Sequence, residues 1–173
     1  LTSEQCFRKG IDRLSNEFID FVKSNDYILK LICNASLNGE ELNIEVIPTL
    51  LSYSHPFSQI NDEFNIIEVD TTSRGKMTWI GKGAGKFVTA QGILSDLNLL
   101  IDQGSYQAQI NQTSSLKLVN SQVKSTFIIE MTQNVLPQSL IIKQKGKIYQ
   151  TIEMTIDQLS LYLDKIVFYA KVV

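Results

Sequence analysis

Residues 79–97, WIGKGAGKFVTAQGILSDL, place three glycines within five positions and then open a run with helical spacing. A strand that passes through glycines into a helix start exposes backbone N–H groups that no earlier helical turn can satisfy. Glycine also lets a ligand approach the backbone closely. Two nucleotide fingerprints nevertheless fail here. A P-loop needs G-x-x-x-x-G-K-[ST], and Gly85-Lys86 is followed by Phe87. A dinucleotide fold needs G-x-G-x-x-G early in a βαβ unit; Gly81-Lys82-Gly83-Ala84-Gly85 has a different spacing, and no second parallel strand with an acidic ribose ligand follows. On the residues alone, a structural turn before a helix and a ligand-facing loop both fit.

Working outward from the loop, Phe87 to Asp102 reads as a helix, with Ile93, Leu94, Leu97, Leu100 and Ile101 forming an apolar stripe. Upstream, FNIIEVD and GKMTWIG are two strands joined by the hairpin-length loop TTSRG. Further back, SYSHPFSQINDE is a polar connector with one helical turn, and Pro48 is expected to end the strand before it. That strand, ELNIEVIPTLL, alternates with Leu42, Ile44 and Val46 on one side and Asn43 and Glu45 on the other. YILKLICNASL reads as a strand largely covered on both faces, and NGE at 38–40 turns between the two. SNEFIDFVKSN is a short helix with Ser15 as N-cap, Asn25 as terminator and Phe18, Phe21 and Val22 on one face.

After Gly104 the composition turns polar, and residues 105–123 read as a linker. From Lys124 onward the pattern resumes with a strand at STFIIEMT and a hairpin pivoting near Lys145-Gly146. A helix at TIDQLSLYLDKI, capped by Thr155 or Asp157, and a strand at VFYAKVV complete it. The expected fold class is α+β, an α/β sandwich whose mixed, mostly antiparallel sheet is covered by helices. Its expected divisions are 1–104, the linker 105–123, and a small C-terminal α/β region at 124–173.

Composition narrows the function. The 173 residues are 43% hydrophobic and 20% charged, as in an ordinary globular protein. A net charge of -2 offers no basic stripe for nucleic acid. No apolar run approaches the roughly 18 residues of a membrane span. Cys6 and Cys33 lack any metal or redox spacing and read as reduced, buried residues of a cytoplasmic protein. Asn34-Ala35-Ser36 and Asn111-Gln112-Thr113 match the glycosylation sequon by chance on that view. His55 is the single histidine and, followed by Pro56, shapes a loop. No His/Cys/Asp/Glu cluster has metal-ligand spacing, and no G-x-S-x-G nucleophile elbow is present. No metal site and no catalytic constellation are therefore nominated.

Several features taken in order resemble the substrate-binding domain of homoserine dehydrogenase. They are Pro48-Thr49-Leu50 at the end of a strand, His55-Pro56 leading to Asn65, and Gly81-Lys82-Gly83-Ala84-Gly85 followed by Thr89-Ala90 and Asp96. Upstream, GIDRLSNEFIDFVKSNDYILKL looks like the family's entry to a helix and the Lys-bearing strand after it. The likeness covers about residues 7–103; Val88 stands where many members carry proline. It implies an NAD(P)-dependent oxidoreductase interconverting L-aspartate 4-semialdehyde and L-homoserine on the route to threonine and methionine.

The resemblance further implies that Gly85 touches the dinucleotide through its backbone, with Gly83 and Ala84 as neighbours and Thr89 as a further candidate. No position matches the family's nucleotide-binding domain, its homoserine-holding acidic residues or its lysine. A C-terminal portion of the enzyme, inactive alone, is thus expected, with the dinucleotide held mainly by a domain absent from the chain. Homodimers across the sheet of residues 1–104 are implied too. Many bacterial members end in an ACT-type domain that binds an amino-acid end product. Residues 124–173 look like a divergent ACT-like region without its first helix, through which threonine feedback is a hypothesis. The alternative is a stand-alone regulatory or amino-acid-binding module that kept the fold and lost catalysis.

Overall fold

The computed structural model describes residues 6–104, 116–119 and 122–173. In chain order the strands are β1 (Phe7–Arg8), β2 (Tyr27–Asn38), β3 (Glu41–Ser52), β4 (Phe64–Thr71), β5 (Gly75–Lys82) and β6 (Lys117–Leu118). They continue as β7 (Lys124–Ser125), β8 (Phe127–Met131), β9 (Ile141–Lys145), β10 (Ile148–Thr151), β11 (Met154–Thr155) and β12 (Ile166–Val172). The α-helices are α1 (Asn16–Ser24), α2 (Lys86–Gln103) and α3 (Ile156–Ser160). The chain divides into two units, one of residues 1–55 with 114–173 and one of residues 56–113.

The first unit is built on β3. Along one edge β2 pairs with it antiparallel over its whole length, from Asn38↔Glu41 to Tyr27↔Ser52. The two-residue turn between them puts Gly39 at φ +60°, where a Cβ is disfavoured. The other edge is shared in succession by three parallel strands: β6 at Glu41 and Leu42, β1 at Glu45 and Val46, and β12 at Thr49 and Leu50. The carbonyls of Leu42, Val46 and Leu50 accept along this edge from Val119, Lys9 and Val173. By strand alternation the nitrogen of Pro48 faces the same edge, in the gap between β1 and β12. Proline's missing donor is therefore tolerated, and the strand expected to end there continues to Ser52.

From β12 the sheet runs on through β8, β10 and β9. Residues 124–173, expected as a region of their own, thus extend the same sheet as residues 7–52, because β12 pairs with β3 on one side and β8 on the other. The linker expected at 105–123 lies largely outside the described residues, and its Lys117–Leu118 is the strand β6.

Alternation along β8 separates two cores. Phe127, Ile129 and Met131 join Ile47, Tyr149, Tyr169 and the α3 residues Ile156 and Leu159. Ile128 joins Phe18 and Val22 of α1 with Leu50, Ile148 and Phe168 on the opposite face. Helices therefore cover β8 on both sides, and its unbroken burial, the charged Glu130 included, is the pattern of such a strand. Helix α1 begins as its sequence predicts: Ser15 Oγ accepts from the Phe18 N–H at 2.9 Å and donates to the buried Glu130 carboxylate at 2.6 Å. Thr155 caps α3 through a reciprocal capping box with Gln158, though this helix stops after five residues, well short of the expected TIDQLSLYLDKI.

Three burial expectations are overturned, the first being that of the cysteines: Cys33 is exposed on β2, and Cys6 is only partly buried. β2 is an edge strand, and its second half is exposed where a doubly covered strand was expected; Leu37 is 61% exposed. On β3, Asn43 and Glu45 are each only 3% exposed, whereas Ile44 and Val46 are half-buried. The polar side faces inward because Glu45 meets Lys171 of β12 at 2.7 Å.

The second unit holds the β4–β5 hairpin, a 3-10 turn at Pro56–Gln59, and α2. Gly75 closes the hairpin at φ +67°. The stripe on α2 has the expected spacing, but its residues are exposed, Ile101 to 72%. No described helix is long and apolar enough to cross a membrane.

Candidate dinucleotide loop

The glycine block connects β5 to α2. Gly81 lies within the hairpin, opposite Asn65, and Lys82 is the last paired residue, opposite Phe64. That register sets Glu63 beside the loop: the Gly83 N–H donates to the Glu63 carbonyl at 2.7 Å, and Lys82 Nζ meets Glu63 Oε1 at 2.8 Å. Hydrogen bonding from Lys82 holds the Glu63 carboxyl below its ordinary value. Lys82 also lies over the Phe64 ring, 5.7 Å from its centroid.

Two glycines suit the geometry of the loop, for different reasons. A Cβ on Gly83 would overlap the side-chain amide of the exposed Asn65, so a side chain there would require that amide to move aside. Gly85 has φ +105° and ψ 149°, a region essentially closed to L-residues, although open space surrounds it. Gly83 therefore permits close packing, and Gly85 permits an unusual backbone. Ala84, between them, is exposed.

Gly85 is the N-cap of α2 and has no side chain to cap it, and no acidic residue sits in the first turn. The leading N–H groups and the positive end of the helix are thus left to an external acceptor. Lys86 adds a positive charge there, 5.0 Å above the Phe87 ring centroid. Thr89 sits one turn in and returns two hydrogen bonds to the Gly85 carbonyl, from its N–H at 3.0 Å and from Oγ1 at 3.1 Å. Its hydroxyl hydrogen is spent on holding the loop.

Of the nominated residues, Gly83, Ala84 and Gly85 form one exposed connector, and Thr89 braces it from within the helix. Sequence reasoning did not nominate Asn65 or Glu63 as part of the site, since only the hairpin register brings them to the loop. His55 lies before the 3-10 turn, its N–H donating to the Ser52 carbonyl at 3.1 Å, as a loop-shaping residue would. Among the described residues no three His, Cys, Asp or Glu side chains gather to hold a metal.

A family profile described as homoserine dehydrogenase matches residues 1–98. The chain belongs to the homoserine dehydrogenase family. Homoserine dehydrogenase of Bacillus subtilis (strain 168) is 39% identical over 89 residues, covering 51% of this chain and 21% of that protein. The Corynebacterium glutamicum homoserine dehydrogenase is 32% identical over 102 residues, covering 56% of this chain and 23% of its own length. The matched part therefore spans less than a quarter of these relatives. Among solved structures, the Thiobacillus denitrificans homoserine dehydrogenase superposes with a TM-score of 0.70 at 17% identity, covering 98% of this chain and 48% of that one. The Staphylococcus aureus homoserine dehydrogenase gives 0.62 at 20% identity, covering 100% and 48%. These likenesses establish the fold, a mixed α/β architecture with a mostly antiparallel sheet, and they extend through residues 124–173.

Proposed function

We propose that this chain is the substrate-side half of an NAD(P)-dependent homoserine dehydrogenase, which interconverts L-aspartate 4-semialdehyde and L-homoserine in the cytoplasm. The observation that carries this reading is the pair of glycines after β5, one packed against Asn65 and the other held by its own backbone conformation, at the uncapped start of α2. The conformation of Gly85 is closed to a capping side chain at the start of α2. Here the cap is absent and the helix end is bare, which suits a polar group of the dinucleotide approaching the backbone.

When bound, the nicotinamide supplies or accepts the hydride. This chain's residues would position it: Gly83 to Gly85 through their backbone, with Thr89 fixing the Gly85 carbonyl and Lys82–Glu63 anchoring the loop's start. The proton-handling lysine and the acidic groups that hold homoserine belong, on this reading, to sequence outside these residues, so the chain alone is inactive.

The test is NADPH-dependent reduction of aspartate semialdehyde. The 173-residue chain is expected to give no turnover, and the same chain fused behind a homoserine dehydrogenase nucleotide-binding domain is expected to give it. Gly85→Ala in the fusion should then raise KM for the dinucleotide about tenfold or more, through the strain of a Cβ at positive φ. Turnover by the isolated chain, or an inactive fusion, would sink the proposal.

A further inference from the structure

We propose that the first unit carries a cleft for a small organic acid between the end of α1 and the β9–β10 hairpin. The cleft has a volume of about 100 Å³, room for a molecule of a few carbons. Its floor is apolar, made by the buried Ile128 and Ile148, and Phe21 and Tyr27 form one wall. On the other side stand Lys143 and Lys145.

The sheet register explains why these charges meet there. Lys143 and Lys145 are two apart on β9, hence on one face, opposite Gln150 and Ile148 of β10. Gln150 is in turn opposite Ile128 of β8. Two ammonium groups thus border the same apolar floor, and neither has an ion pair among the described residues. The nearby Glu17 carboxylate lies against Gly146 in the hairpin turn.

The far end has the opposite character. Asn25 caps the C-terminus of α1, where the helix dipole is negative. Its amide hydrogens go to the Phe21 carbonyl at 2.8 Å and Ser24 Oγ at 3.2 Å, so Oδ1 is the atom left for the cleft. An occupant therefore sets its carboxylate at the lysines, its carbon chain on Ile128 and Ile148, and a hydrogen-bond donor at Asn25. Lysines on an edge strand can instead serve only to deter pairing with other chains. That role needs no shared face and no cleft beneath them.

The two roles separate in a titration of the whole 173-residue chain, ¹⁵N-labelled, with sodium 3-hydroxybutyrate at constant ionic strength. Saturable shifts are expected at the amides of Asn25, Lys143, Lys145 and Gln150. Lys143→Gln with Lys145→Gln should weaken binding about tenfold or more, the loss expected for charge-assisted contacts, and Lys147→Gln in the turn should leave it unchanged. Butyrate, which lacks the donor, should bind more weakly. Absence of saturable shifts overturns the proposal, as does inorganic phosphate binding equally well, since the floor would then play no part. A double variant that self-associates in light scattering while keeping full affinity also overturns it.

Discussion

Glu45 and Lys171 are 126 positions apart in the chain and 2.7 Å apart in the fold, with side chains 5% and 18% exposed. Ions so far removed from water are held by each other, so removing one strands the other. Glu45→Gln or Lys171→Met alone is expected to lower unfolding stability by about 3–5 kcal/mol. Replacing both with apolar residues of similar size should cost much less, and urea denaturation of the single and double variants reads the difference directly. Tyr169, on the same strand as Lys171, has its hydroxyl pushed up to about 12 by burial. Because the unfolded chain ionises near 10 and the folded one does not, the folded state holds more protons between those values. Stability is therefore intact below about pH 10 and falls as pH rises through 12, by up to about 3 kcal/mol from this group. Comparing urea midpoints of the wild type and Tyr169→Phe from pH 9 to 12 isolates it: the phenylalanine variant should lose less.

Among the elements, α1 depends on one hydroxyl twice over. Ser15 satisfies the Phe18 N–H and also donates to Glu130, so the helix start and the central strand β8 share a group. Ser15→Ala should cost about 1–3 kcal/mol, the lost cap plus a buried carboxylate short of a donor. Ser15→Thr should recover most of it, which circular-dichroism melts can check. Caps of this kind are local and so are legible in sequence, as are Gly39 and Gly75 in their turns. Pairing between distant segments is not. Nothing in Phe7–Arg8 or Lys117–Leu118 marks a strand, since two residues carry no period, and Pro48 reads as a stop unless the gap between its neighbours is known. At the loop, Gly83 and Gly85 can be found from sequence because glycine spacing is visible. Asn65 and Glu63 cannot, because their place depends on which residue of β4 faces which residue of β5. Periodicity likewise finds the stripe on α2 without saying what it meets.

For the whole molecule, the exposed apolar surface has a definite layout. On one face of the β2–β3 ribbon, Leu31, Cys33, Ala35 and Leu37 line up beside Ile44 and Val46, opposite partners in the register. We propose this face as the homodimer contact, since a second copy would extend the burial that α1 and its sheet provide elsewhere. Leu37→Lys is expected to leave the fold intact and shift the chain to monomer in light scattering; a monomeric wild type at high concentration would count against the assignment. The eight-stranded sheet that holds both β1 and β12 also means that its C-terminal strands are part of the scaffold on which β3 lies.

That scaffold has a consequence for biosynthesis. β2 and β3 can zip together as soon as residue 52 leaves the ribosome, for their contacts are all local. The opposite edge of β3 must wait for β6 and, at Thr49 and Leu50, for the last strand of all. Some 120 residues of translation therefore pass with half of that edge's donors and acceptors open, at the synthesis rates of cells several seconds or more. Through that interval the nascent chain offers a ready template to any other extended segment.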